Sequence, residues 1–232
     1  MAYYITLCIF CAAYGLGIAG MGFMRKHARW NLAFMAVVYI SYLLLSWTVY
    51  RDVGFWDWNY QNTLPTANVS PFMFSLMPLL LVMPRRMKKA VHLLIALLSV
   101  GMFLSGALGC VYYGVIHYAF HHHFLLDFGA HFALSLFGVY LVRSGQVELK
   151  VRNCIISGAI IVGVALCMLV LNCIFDTAFF GLSIMGKHNI YNNVLVENGA
   201  VSAAVYFAGL VLVLLLGAGY CKIFEKKQKT AT

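Results

Sequence analysis

A histidine-rich stretch carries most of the side chains in this sequence that could do chemistry. It holds His117, His121, His122, His123, Asp127 and His131, all inside or beside a long apolar run. Asp127 and His131 are four residues apart and Ser135 continues the spacing, so on a helix they share one face. A carboxylate beside an imidazole orients the ring and raises its basicity, which makes a minimal general-base pair. Ionisable groups at membrane depth are costly, so this stretch is the first candidate for a functional site.

Acyl transfer or hydrolysis requires a nucleophile within reach of such a pair. The candidates at the same depth are Ser70, Cys110, Cys173, Thr177 and Ser202. None lies in a recognised nucleophile motif. The catalytic hypothesis takes His131 as the general base, Asp127 as its orienting group and Ser70 as the nucleophile. The alternative is a buried polar contact that holds helices together.

Metal binding is a second interpretation of the same histidines. His117 and His121 are four residues apart, and Asp127 with His131 could add two zinc ligands. However, residues 121–123 fall at the predicted water interface, and no HxxxH motif lies within a span. We therefore predict no metal and no cofactor. The seven cysteines, an odd number lying mostly in apolar runs, indicate buried thiols and not a disulfide framework.

The composition predicts the elements that must position these side chains. Of the 232 residues, 63% are hydrophobic and 10% are charged, whereas soluble domains are about 45–50% apolar and about 25% charged. We expect an integral membrane protein with a single transmembrane domain over residues 1–232. Seven stretches suit spanning helices, at about 3–24, 30–50, 67–84, 90–118, 124–142, 154–176 and 198–221. The first lacks a preceding basic segment and a convincing cleavage site, so we expect a retained anchor.

The basic residues predict the orientation of this all-α, seven-helix bundle. Fourteen of the sixteen lie in loops on one side, after spans one, three, five and seven. The positive-inside rule then places the N-terminus outside and the C-terminus in the cytoplasm of the cell membrane. The net charge of +9 is explained by these loops, so we predict no nucleic-acid partner.

With this orientation, further polar residues fall in the outer third of the membrane with the Asp127 and His131 side chains. The predicted substrate-binding residues are Asn68, His117, Asn172, Asp176 and Glu197. We expect a polar pocket built by spans three, five, six and seven, which opens outward, while the inner halves of these spans are nearly featureless. All four prolines, residues 65, 71, 78 and 84, lie in or beside span three, which predicts a kinked or broken helix at the pocket floor.

The segment from Tyr42 to Val82 resembles the YwaF-like membrane proteins, which are related to eukaryotic transmembrane protein 164. Leu64-Pro65 matches the family's Leu-Pro motif, and His131 falls where the family has a later histidine. Leu171 to Leu182 looks like the family's helix-end turn, with Thr177 and Phe179 in register. The resemblance implies a seven-helix bundle and, from the eukaryotic relative, phospholipid acyl transfer through a cysteine and a histidine.

One departure from the family pattern bears directly on that chemistry. Asn68 and Val69 stand where the family has histidine and cysteine, and a valine cannot be a nucleophile. The chain has therefore either lost the reaction or uses a neighbour such as Ser70. Our leading prediction is a membrane protein that binds or processes membrane lipid through the outer pocket. The alternative is a non-catalytic transporter or substrate-binding membrane subunit for a small solute.

Overall fold

The computed structural model describes residues 2–24, 29–54, 64, 68–116, 122–175, 179, 182 and 199–230. These residues form seven α-helices, and no strand occurs among them, which confirms the all-α prediction. In chain order the helices are α1 Ala2–Met24, α2 Arg29–Val53, α3 Val69–Val82, α4 Arg85–Ile116, α5 His122–Arg143, α6 Val151–Phe175 and α7 Gly199–Thr230.

Five of these helices are long and apolar enough to cross a membrane. The apolar segments are Tyr4–Met21, Trp30–Val53, Leu125–Arg143, Val151–Phe175 and Ala203–Ile223. The five segments and the composition make the chain a multi-pass membrane protein. Helix α3 is apolar but has only 14 residues, a length of about 21 Å against a hydrocarbon core of about 30 Å.

The limits of α3, α4 and α7 differ from the predicted spans for local reasons. Helix α3 begins after Asn68, whose side chain accepts a hydrogen bond from Val69 N, and ends before Met83, which is extended at ψ 139. Helix α4 starts at Arg85 instead of near residue 90, and α7 continues to Thr230 instead of ending near residue 221. Basic side chains are good helix formers, so a helix can continue past its apolar segment.

Contacts at one end of the bundle show how the helices alternate. The hydrogen bonds there are Arg143 Nη1 to Ile18 O (3.1 Å), Gln146 Nε2 to Asn31 Oδ1 (3.4 Å), Ser157 Oγ to Ala90 O (2.6 Å) and Cys154 Sγ to Leu214 O (3.7 Å). They bring together the final parts of α1 and α5, the first parts of α2, α4 and α6, and the middle of α7, whose later residue Cys221 packs with Cys154 and Leu93. We call this end, where α3 also finishes, the basic end. Helices α3 and α5 therefore run in the same direction.

Helix α5 lies at the centre of the bundle, against α1, α2 and α4, while α6 packs on α4 and α7 packs on α6. Gly138 of α5 and Ser99 of α4 approach each other closely, and both are buried. A Cβ atom added to Gly138 would lie 1.8 Å from Ser99 Oγ and 2.6 Å from its Cβ. Only glycine fits at residue 138 while Ser99 keeps its place.

The basic end contains a hydrogen-bonded network of polar side chains. His92 is buried, and its Nδ1 lies 3.5 Å from Gln146 O. Asn153, which is also buried, donates from Nδ2 to Glu148 O (3.1 Å). The expectation of a nearly featureless inner half is wrong for α6, because both Asn153 and Ser157 are buried and hydrogen-bonded there.

Glu148 is the acidic residue of this network. Its carboxylate forms ion pairs with Lys89 and with Lys150, the latter at 3.2 Å. The hydrogen bond from Lys89 is the main cause that lowers the pKa of Glu148, and Lys150 acts in the same direction. The carboxylate therefore stays charged and joins the α5–α6 loop to the start of α4.

Candidate functional site

Asp127 and His131 form a pair on one face of α5, as their spacing predicts. His131 Nδ1 lies 2.7 Å from the backbone oxygen of Asp127 and 3.2 Å from its carboxylate Oδ1. The His131 side chain is 17% exposed and that of Asp127 is 54% exposed. The carboxylate is therefore accessible, whereas the imidazole is largely enclosed by its neighbours.

This geometry selects one tautomer of the imidazole. A carbonyl oxygen can only accept, so Nδ1 of His131 carries the proton and donates it to Asp127 O. In the neutral ring Nε2 then has a free lone pair, and no described residue hydrogen-bonds to it. The carboxylate therefore lies near Nδ1, and Nε2 is on the other side of the ring.

Phe74 of α3 packs against the His131 ring. Its ring contacts the His131 ring edge to face, with centroids 6.0 Å apart and an interplanar angle of 80°. Tyr42 of α2 stacks on the Phe74 ring, with the two centroids 5.1 Å apart and an interplanar angle of 8°. Both aromatic side chains are buried. The imidazole plane is thus fixed by Asp127 and by packing from a second helix.

The Phe74 contact also fixes the depth of Ser70. Ser70 precedes Phe74 by one helical turn, just as Asp127 precedes His131, and α3 and α5 run in the same direction. Ser70 therefore lies at the level of Asp127 on the neighbouring helix. It is half-buried. The described residues show no hydrogen bond between Ser70 and His131, so the nucleophile role of Ser70 stays a prediction.

Asn68, predicted to bind substrate, lies at the N-terminus of α3. The Asn68 side chain accepts from Val69 N at 2.8 Å and so caps the helix. Helix α3 is continuous through Pro78, so it is not broken among the described residues. Pro78 has no N–H, which deprives the carbonyl of Phe74 of its usual helical donor.

Ser135 extends the polar face one turn deeper and contacts another helix. Its Oγ lies 3.1 Å from the Tyr14 hydroxyl of α1, and Ser135 is fully buried. Below this contact the described core is largely apolar: Phe137, Leu141, Leu94 and Ile95 are all at most 1% exposed, with the buried hydroxyl of Ser99 beside Gly138. The described polar groups of the site are therefore separated from the basic end by a packed apolar layer.

Asn172 hydrogen-bonds to the segment that follows α6. Its Nδ2 donates to Phe179 O (2.9 Å) and to Leu182 O, and its Oδ1 accepts from Phe179 N (2.8 Å). Leu182 is fully buried in the main core cluster. Asn172, which was predicted to bind substrate, thus uses its amide nitrogen and its amide oxygen in hydrogen bonds to the backbone of the following segment.

Several predicted residues lie outside the described residues. They are His117, Asp176 and Glu197, together with His121 and Thr177. The described side chains contain no group of three or more histidine, cysteine, aspartate or glutamate residues that could hold a metal ion. The described part of the site is formed by α3 and α5, with α2 behind it.

Sequence reasoning missed the aromatic residues of this site. Phe74 and Tyr42 lie 57 and 89 residues before His131, and phenylalanine and tyrosine are common in apolar helices. Their spacing from the Leu-Pro motif gave no signal of a histidine contact.

No protein-family model, curated protein or solved structure matches this chain.

Proposed function

We propose that this protein spans the cell membrane seven times, with the basic end in the cytoplasm and the N-terminus outside. The charge distribution supports this orientation, since fourteen of the sixteen basic residues belong to the loops and tail of the basic end. The Asp127–His131 pair then lies in the outer half of the membrane, within reach of the outer leaflet.

Within that orientation, the proposed activity is acyl transfer or hydrolysis on an ester-linked membrane lipid. The observation that carries it is the 2.7 Å contact between His131 Nδ1 and Asp127 O, which assigns the proton to Nδ1 and leaves Nε2 as the proposed base. Ester carbonyls of glycerophospholipids lie at the boundary between head groups and acyl chains. In the proposed orientation Asp127 and His131, in the second and third turns of α5, lie on the outer side of the packed core.

The proposed reaction assigns one role to each described side chain. Ser70 Oγ attacks the ester carbonyl while Nε2 of His131 removes the hydroxyl proton, and the same nitrogen returns it to the departing alcohol. Asp127 stabilises the imidazolium that forms between these two steps. Water or an acceptor alcohol then releases the acyl group from Ser70 by the same route.

The packed apolar layer favours a site served from one side of the membrane. A transporter for a polar solute needs alternating access to both sides of its binding site. Phe137 and Leu141 of α5 lie between the Tyr14–Ser135 contact and the polar network at the basic end, and neither is exposed. A lipid in the outer leaflet can reach the Asp127–His131 pair without crossing that layer.

We also propose that the chain is a diverged YwaF-like protein. Its all-helical bundle, with a third helix that follows Leu64 and contains Pro78, fits that family's pattern. Val69, at the position of the family cysteine, begins α3 immediately before Ser70. A change of nucleophile from residue 69 to residue 70 would reconcile this chain with the family chemistry.

The test is lipid turnover in proteoliposomes, with lysophospholipid, free fatty acid and acylated acceptor measured by mass spectrometry. His131→Asn keeps a donor near Asp127 O but lacks Nε2, so we expect it to lower turnover by about 100-fold or more. Ser70→Ala should act similarly.

Ser75→Ala is the matched control on α3, because Ser75 Oγ donates only to Pro71 O of its own helix (2.8 Å). It should retain wild-type turnover. Wild-type turnover by His131→Asn would contradict the general-base role, and an inactive wild-type protein would contradict the catalytic proposal.

A further inference from the structure

Three exposed arginines at the basic end lie on two helices that pack together. Arg85 and Arg86 begin α4, and Arg152 lies in the first turn of α6. The hydrogen bond from Ser157 Oγ to Ala90 O joins the second turns of these helices. Arg86 precedes Ala90 by about 6 Å of helix and Arg152 precedes Ser157 by about 7.5 Å, so the arginines lie at one level.

These arginines have no counter-charge in the part of the chain that the structure describes. Glu148, in the loop between α5 and α6, is engaged by Lys89 and Lys150. None of the three arginines forms an ion pair with a described residue. The whole sequence agrees, because the basic-end loops and tail hold fourteen basic residues and two acidic ones, Glu148 and Glu225.

The connection between α3 and α4 fixes the arginine pair close to apolar surface. It consists of Met83 and Pro84, and it is ordered by hydrogen bonds from Met83 N to Leu79 O (3.0 Å) and from Lys88 N to Pro84 O (2.9 Å). Val82, just before the connection, is 81% exposed. Arg85 is therefore three residues from an apolar side chain that needs a lipid environment.

Exposed apolar side chains also adjoin the other two arginines. Met87, next to Arg86, is 46% exposed, and Ile155, one turn after Arg152, is 64% exposed. A ligand at this level meets guanidinium groups and, within a turn, apolar surface. Neither helix has an acidic residue in its first turn, so the positive end of each helix dipole adds to the arginine charge.

We infer that Arg85, Arg86 and Arg152 bind the phosphate head group of an anionic phospholipid, whose acyl chains lie along the exposed apolar side chains next to them. Guanidinium groups suit phosphate oxygens because they donate two parallel hydrogen bonds. The order of charge and apolar surface along each helix matches the order of head group and acyl chain in a phospholipid. This binding site is at the opposite end of the bundle from Asp127 and His131, and it does not depend on catalysis.

The test uses the full chain in nanodiscs of phosphatidylcholine with a minor fraction of phosphatidylglycerol, with retained lipids measured by native mass spectrometry. Arg85→Gln/Arg86→Gln should lower the number of retained phosphatidylglycerol molecules relative to phosphatidylcholine by about tenfold, and adding Arg152→Gln should lower it further. Lys226→Gln/Lys227→Gln removes the same charge from the tail at the same end and should have a much smaller effect.

An equal loss in the two double variants would overturn the proposal in favour of diffuse surface charge. No loss in the arginine variants would overturn it outright. Excess inorganic phosphate is expected to leave the phosphatidylglycerol in place, and its displacement would assign the arginines to a soluble anion instead. Helix content measured by circular dichroism should be the same in all variants, because the substituted side chains are exposed or lie in the tail.

Discussion

Alanine at residue 138 is expected to destabilise the bundle by about 3 kcal/mol, a large effect for a single added methyl group. The new Cβ would lie 1.8 Å from Ser99 Oγ and 2.6 Å from Ser99 Cβ. Both residues are fully enclosed between α4 and α5, so the two helices would have to separate. Thermal unfolding of the protein in detergent, followed by far-ultraviolet circular dichroism, measures the loss.

Two further variants make this prediction specific to the close approach. Ser99→Gly removes both short contacts and leaves Ile95 O at 3.3 Å, so Ser99→Gly combined with Gly138→Ala should regain most of the lost stability. Gly163→Ala is the matched control, because a Cβ added to Gly163 meets nothing within 4 Å. If Gly138→Ala and Gly163→Ala unfold at the same temperature, the packing of α4 on α5 described above is incorrect.

Asn172→Ala is expected to cost about 3 kcal/mol, because it leaves buried backbone groups without partners. The lost hydrogen bonds are those with Phe179 N, Phe179 O and Leu182 O. Stability in detergent and hydrogen exchange of the Phe179 and Leu182 amides should both report the change. The segment after α6 should exchange faster while the basic end stays protected.

Asn31→Ala is a suitable comparison, because the half-buried Asn31 accepts a single long hydrogen bond from Gln146 Nε2, at 3.4 Å. Its cost should be below about 1 kcal/mol. An Asn172→Ala protein with wild-type stability but altered ligand binding would support the substrate-binding role predicted from the sequence. A destabilised protein would support the role of Asn172 in holding the segment after α6.

The sequence predicted features that depend on local spacing. Apolar length predicted the helices, and the four-residue separation of Asp127 and His131 predicted their contact. The polarity of Asn68 predicted a substrate-binding residue, and that role stays a prediction, while the structure adds that its side chain caps α3. Asparagine suits both substrate binding and helix capping, and the capping role becomes visible only in the backbone geometry.

Contacts between distant helices could not be predicted in the same way. The pairing of Gly138 with Ser99, and of Phe74 with His131, depends on how α3, α4 and α5 cross. A single sequence holds no local signal of those crossings. The network at the basic end could not be predicted for a related reason. Asn153 and Ser157 hydrogen-bond to the backbone oxygens of Glu148 and Ala90, and Ala90 belongs to another helix.

The most direct test of a lipid-processing site at Asp127 and His131 is mass spectrometry of the lipids that co-purify with the protein. Wild-type protein and His131→Ala would be compared, and Ser75→Ala would again serve as control. We expect a lipid or acyl adduct that is lost from His131→Ala or accumulates in it, and whose amount is unchanged in Ser75→Ala. Identical bound species in all three proteins would contradict the account and leave His131 as a residue that packs α5 against α3.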